Sequence, residues 1–221
     1  MIIDFDGTLA HRPGRWSQAL LEVLDREVPD HPTTRDDLRS ALREGFPWHR
    51  ADVPHPDLAH PEAWWDHVGG LLAGAFASVG VDAERVPDLV AAARAHYCDP
   101  GGFVLYDDAV GALERLGDAG IEVVILSNHV PELPVIVDGV GLAGLVGAVF
   151  SSAALGFEKP HPEAFRAALE GVDPARCWMV GDNPVADLAG GRAAGMRAAL
   201  VRHPDVDGRS VADVVDEILT A

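Results

Sequence analysis

From Asp107 to the end of the chain, short runs of consecutive apolar residues alternate with segments of helical periodicity, and this rhythm constrains the fold more than any other feature. Ala109 to Ala119 has the pattern of a helix closed by Gly120, and Ile121 to Leu126 is an apolar run broken only by Glu122, as expected of a parallel strand buried on both faces. The alternation then predicts a helix over Pro131–Val140, a strand over Ala148–Phe150 and a helix over His161–Glu170. A strand over Cys177–Val180, a helix over Val185–Ala194, a strand over Ala198–Val201 and a last helix over Val211–Leu219 complete it. Such a chain specifies an α/β fold with a doubly wound, mostly parallel sheet of Rossmann-like type, and sheets of this kind take ligands at the carboxyl ends of their strands.

Met1-Ile2-Ile3 supplies one further strand, short and apolar, which runs into Asp4-Phe5-Asp6-Gly7-Thr8-Leu9. Gly7-Thr8 breaks the run, so both carboxylates fall where strand becomes loop. Burying two acids one residue apart is costly without a cation or a shared proton to compensate. An isolated Asp-x-Asp-Gly is equally compatible with a solvated turn, so the rest of the sheet edge has to decide. Between this strand and Gly102 the chain reads as helix and loop. Ser17–Val28 carries Leu20, Leu21, Leu24 and Val28 at helical spacing, Thr34 caps a helix bearing Leu38 and Leu42, and Glu62–Val79 and Ala83–Tyr97 are helical again. The His-Pro steps from Gly45 to Pro61 mark a loop. Residues 11–102 therefore read as a helical cap inserted into a core made of residues 1–10 and 103–221. Within it, Trp48, Trp64 and Trp65 are expected in the core. The histidines His49, His55, His60 and His67 fit no zinc spacing and read as solvated.

The 35 acids against 17 basic residues give a formal charge of −18, which repels a phosphate backbone and an anionic membrane surface. Nucleic-acid and membrane partners are therefore not expected. Two cysteines, Cys98 and Cys177, make no disulfide framework, and no basic leader or 18-residue apolar stretch is present, so a cytoplasmic location is the expectation. Of the 17 basic residues, Lys159 is the one lysine. Keeping a single compact ammonium among arginines suggests a position that needs a point charge.

Several strands end in polar residues: Asp4 and Asp6 after the first, Ser127-Asn128 after the second, and Gly181-Asp182 through Asp187 after the strand at Val180, while Lys159 follows the third. A parallel sheet brings these residues to one edge. In sequence order they match the four motifs of the haloacid dehalogenase (HAD) superfamily, and from Met1 to about Val201 the chain resembles a member with a helical cap inserted after the first motif. Gly190, Ala194, Gly195 and Met196 match the usual continuation of the fourth. The resemblance implies a phosphatase acting on a small phosphorylated metabolite. In it Asp4 is the nucleophile that forms an aspartyl-phosphate, and Asp6 is the general acid and base. Ser127 and the Asn128 backbone N–H hold the phosphoryl oxygens, and Lys159 neutralises them. A Mg²⁺ ion is implied, held by Asp4, the Asp6 carbonyl, Asp182 and Asp187. Four acids around a dianionic substrate, at about 4 kcal/mol per like-charge pair at 4 Å near a protein surface, exceed what one lysine can offset.

Other readings are a phosphomutase or phosphotransferase, a 2-haloacid dehalogenase of the same superfamily, and a non-catalytic interaction protein on the same scaffold. A dehalogenase needs no acid for a halide leaving group, and those enzymes carry a tyrosine where Asp6 stands. Two structural readings also stand beside the functional ones: Ser127 and Asn128 as helix caps, and Asp187 as an acid favoured by a helix dipole.

Overall fold

The computed structural model describes residues 1–220. The elements run β1 (Ile2–Ile3), β2 (Ala10–His11), α1 (Arg15–Glu27), α2 (Arg35–Ala41), α3 (Pro61–Ser78), α4 (Val86–Tyr97) and β3 (Val104–Leu105). There follow α5 (Ala109–Asp118), β4 (Val124–Ser127), α6 (Leu133–Gly139), β5 (Ala148–Ser151), α7 (Ser152–Leu155) and α8 (Pro162–Ala168). The chain closes with β6 (Trp178–Gly181), a π-helical turn over Pro184–Ala189, α9 (Gly190–Ala193), β7 (Arg197–Leu200) and α10 (Val211–Thr220).

Five parallel strands form one sheet in the order β5-β4-β1-β6-β7. The shortest strand is central: Ile2 and Ile3 pair with Val124 and Ile125 on one side and with Met179 and Val180 on the other. Successive crossovers move outward to the left of β1 through β4 and β5, and to its right through β6 and β7. The strand order therefore reverses at β1, where open α/β sheets form a crevice. Asp4 follows that strand, and its N–H donates to the Val180 carbonyl (2.9 Å), which fixes it to the sheet.

Between β2 and β3, which pair antiparallel as a two-stranded ribbon, lie α1 to α4. The ribbon carries the chain out to this helical segment and back. One continuous apolar cluster joins Leu20, Leu24, Trp64 and Phe76 of the helices to Phe5, Leu113 and Ile125 of the sheet layers. A smaller cluster around Phe165, Met179 and Leu126 fills the opposite face. Polar ties reinforce the junction: Trp65 Nε1 donates to Glu132 (2.9 and 3.0 Å), Arg94 pairs with the same carboxylate (2.8 Å), and the His55 N–H donates to the Gly156 carbonyl (2.7 Å).

Two elements differ from the periodicity reading. The strand expected from Ile121 begins at Val124, because the turn leaving α5 takes the preceding residues, with the Ile121 N–H bonded back to the Leu116 carbonyl (2.9 Å). The helix expected over Val185–Ala194 divides into a π-helical turn and α9. Asn183 Oδ1 accepts the N–H groups of both Val185 and Ala186 (2.9 Å each), and Asp187 reaches back to the Asn183 N–H (2.9 Å), so side-chain bonds widen the first turn. Such turns often accompany functional sites. Thr34 caps α2 as expected, in a reciprocal capping box with Asp37.

Candidate active site

The loop after β1 is tightly wound. The Phe5 carbonyl accepts the N–H groups of Thr8, Leu9 and Ala10, and Phe5 itself is fully buried against Phe103 and His129. Alternation along the chain then turns Asp4 and Asp6 away from Phe5 and into a cavity of about 350 Å³ above the sheet edge. Gly7 follows with φ +93°, and a Cβ there would lie 2.4 Å from Asp182 Oδ2. Only glycine lets this loop pass so close to the carboxylate after β6.

Lys159 is the centre of the charge arrangement. Its ammonium is 2% exposed and donates to Asp4 Oδ1 (2.8 Å) and Asp187 Oδ1 (2.6 Å). Burial alone would lower its pKa, but Asp187 and Asp4 hold it above the ordinary lysine value. Asn128 fixes the lysine's backbone from the neighbouring strand end: its Oδ1 accepts the Lys159 N–H (2.7 Å) and its Nδ2 donates to the Lys159 carbonyl (2.9 Å). The Asn128 side chain is thus a clamp between the end of β4 and the loop joining α7 to α8, and not a helix cap. Asp187, 1% exposed and sandwiched between Lys159 and the Asn183 N–H, faces the cavity from the π-helical turn. Gly181 makes room for it, since a Cβ there would lie 2.2 Å from Asp187 Oδ2.

Carboxylate oxygens of Asp4, Asp182 and Asp187 lie within 4.8 Å of one another. Against these three acids the lysine brings one positive charge. Burial, with Asp4 adding to it, raises Asp182 to about 6, and burial raises Asp187 to about 6 despite Lys159. A hard divalent cation with oxygen ligands fits this donor set. Asp6 stands apart from the trio. Burial first, then Asp4, raises it to about 6 against the opposing Arg15, and its Oδ1 has no partner. The larger cause of its elevation is thus desolvation, with the neighbouring acid second to it. Ser127, 2% exposed at the end of β4, lines the same cavity. All seven residues singled out by sequence therefore share one crevice: Asp4, Asp6, Ser127, Asn128, Lys159, Asp182 and Asp187. Thr8 is fully buried; its carbonyl accepts from Arg202 Nε (2.8 Å) and serves the loop.

Periodicity did not reveal the wall opposite. Arg15, Trp16, Trp48 and Tyr97 come from the helical segment, and His129 from the residue after Asn128. Trp16 stacks on Tyr97 with ring centroids 3.6 Å apart, and Phe46 stacks on Trp48 at 4.6 Å. Trp64 and Trp65 are core residues as expected, but Trp48 is only partly buried and faces the cavity, because it sits on a short 3₁₀ turn instead of the inner face of a helix. His129 is 3% exposed with neither ring nitrogen bonded, and burial lowers it to about 4, so it is neutral at pH 7. No sequence period marks such residues, since each lies in a loop or at an element end.

A doubly wound sheet whose acids and single lysine meet at the switch point defines a class of α/β enzymes that work at the carboxyl edge of their strands. Residues 1–195 match the haloacid dehalogenase-like hydrolases, and the chain belongs to that family. It is 35% identical over 188 residues to a phosphoserine phosphatase of Thermus thermophilus, covering 83% of this chain and 73% of the relative. A phosphoglycolate phosphatase of Rhodospirillum rubrum is 31% identical over 216 residues, covering 92% and 79%. Among solved structures, a 2-haloacid dehalogenase of Pseudomonas syringae pv. Tomato superposes with a TM-score of 0.70 at 22% identity, covering 99% of this chain and 96% of that one; this likeness concerns the fold. No helix among the described residues is long and apolar enough to cross a membrane.

Proposed function

We propose that this hydrolase is a Mg²⁺-dependent phosphatase that cleaves a small phosphomonoester through a phosphoryl group carried on Asp4. The observation that carries the reading is the buried Lys159 ammonium shared by Asp4 and Asp187, with Asp182 completing an acidic trio that one cation cannot balance. Asp4, Asp182 and Asp187, with the Asp6 carbonyl, are the groups that would hold the ion. When bound, the ion offsets the acids' charge and draws negative charge off the phosphoryl oxygens.

Asp4 is aligned for attack by its backbone bond to β6 and by the Lys159 ammonium, which donates to its Oδ1. A carboxylate oxygen of Asp4 forms the new bond to phosphorus as the ester oxygen leaves. Asp6, on the same side of the loop and held up to about 6, gives that oxygen its proton. It then takes a proton from water, whose oxygen attacks phosphorus, breaks the bond to Asp4 and frees inorganic phosphate. Ser127 and the Asn128 N–H hold the equatorial oxygens through both steps, and Lys159 neutralises them. The helical segment acts as a cap, its Trp16, Trp48 and Tyr97 covering the crevice against water. A dehalogenase reading leaves Asp6 without a task, because a halide departs without a proton.

The test is a panel of phosphorylated small molecules assayed with Mg²⁺ and again with excess chelator. Turnover confined to the Mg²⁺ arm is expected. Halide release from a 2-haloacid without phosphate release, or full phosphatase activity in chelator, contradicts the proposal.

A further inference from the structure

Arg15 is a cation the proposed chemistry does not use. It opens α1 with φ +52°, directly after Gly14 at φ +67°, so two consecutive residues are left-handed where the chain turns from the ribbon into the helix. A non-glycine residue in this region is uncommon, and it is retained where position matters more than local comfort. The turn sets Arg15 on the cavity wall. Its Nε lies 3.7 Å from Asp6 Oδ2, too far for a hydrogen bond, and 65% of the side chain is exposed. Among the described residues the guanidinium makes no hydrogen bond, and unlike Arg12, Arg94 and Arg202, which are bonded elsewhere, it lines the cavity. Beside it, Trp16 Nε1 is a buried donor without a partner, on a side chain that forms the same wall.

Position decides what these donors meet. Lys159, Ser127 and Asn128 stand on the side of the transferring phosphoryl group, and Arg15 stands beside Asp6, which protonates the leaving oxygen. In a chain of net charge −18, a cation with free donors at that place is the local feature that favours an anion. A guanidinium fork matches the paired oxygens of a carboxylate or phosphate. We infer that Arg15 binds a second anionic group on the leaving-group half of the substrate. The substrate is then a small phosphomonoester that also carries a carboxylate or a second phosphate. This inference rests on the phosphatase reading above.

The test compares three esters of similar size with Mg²⁺: phosphoglycolate with its carboxylate, propanediol bisphosphate with its second phosphate, and ethyl phosphate with neither. Wild-type kcat/KM should favour at least one of the doubly anionic esters over ethyl phosphate by about tenfold or more, as expected for a hydrogen bond between charged groups. Arg15→Met should bring that ratio close to one, chiefly through KM, and Arg15→Lys should restore part of it. Which doubly anionic ester is preferred separates the carboxylate from the phosphate. If wild type shows no preference, or Arg15→Met lowers all three esters equally, the second-anion subsite is wrong while the phosphatase stands. If none of the three is turned over while another phosphomonoester of the panel is, the second-anion subsite is wrong; if no phosphomonoester is turned over, both fall.

Discussion

The strand-end crevice and the helical segment above it share one apolar core, yet they announce their function in opposite ways. At the sheet edge, Asp4, Ser127 and Asp182 stand at the carboxyl ends of apolar strands, and parallel pairing can send them to only one place. In the helical segment, the cavity-facing residues are aromatic, arginine or alanine, types that fill cores and surfaces elsewhere in the same segment. Trp64 and Trp48 illustrate the difference: one is fully buried in α3, the other lines the cavity from a 3₁₀ turn. Chemistry built from buried charge is therefore legible, whereas shape built from apolar residues is not.

The sharpest contrast should come from the nucleophile. Asp4→Asn is expected to cut turnover by about 10⁴-fold or more, while Trp48→Ala on the opposite wall should cost less than about 10²-fold, chiefly in KM. Steady-state kinetics on one good ester decides this, and comparable losses would break the division of labour. Next in size, Asp6→Asn should cost about 10²- to 10⁴-fold, more for alkyl than for aryl leaving groups because the aryl oxide departs without a proton. A loss independent of leaving group would remove Asp6 from the acid's role.

Stability should invert the order of the two regions. Trp64→Ala, which empties a fully buried site, should cost about 3–5 kcal/mol in chemical denaturation, against about 1 kcal/mol or less for Trp48→Ala. Equal losses would mean that Trp48 belongs to the core after all.

A smaller effect separates the regions by pH. Glu158, beside Lys159, is 2% exposed with Oε2 unpartnered, and burial raises it to about 7 from 4.5. A carboxyl with a raised folded pKa favours folding while protonated. Its contribution is complete below about 4.5 and is lost as pH rises through about 7. Glu158→Gln should therefore gain on wild type between pH 5 and 8, by about 2 kcal/mol at the upper end. Parallel stability profiles for the two proteins would contradict this.

Much of the fold was legible because its signals are local and repeated. Apolar runs at Met1–Ile3, Val123–Leu126 and Cys177–Val180 mark buried parallel strands, and their ends gather Asp4, Ser127 and Asp182 without any knowledge of side-chain geometry. What escaped depends on side-chain bonds that periodicity does not encode. The π-helical turn exists because Asn183 accepts two backbone N–H groups, and the Asn128 clamp on Lys159 joins residues 31 positions apart. Arg15 escaped because it reads as one more surface arginine, one of 16, until its left-handed backbone sets it on the cavity wall.

The central claim is that Asp4 carries the phosphoryl group, and its most direct test is to stop a reaction in acid within one turnover, with Mg²⁺ and an aryl phosphate, and map the peptides by mass spectrometry. Acid preserves an acyl phosphate long enough to locate it. One phosphoryl group on the peptide beginning at Met1, assigned to Asp4, lost on mild alkali and missing from Asp4→Asn, is the predicted result. Turnover with no label on Asp4, or a label on another residue, would contradict the account.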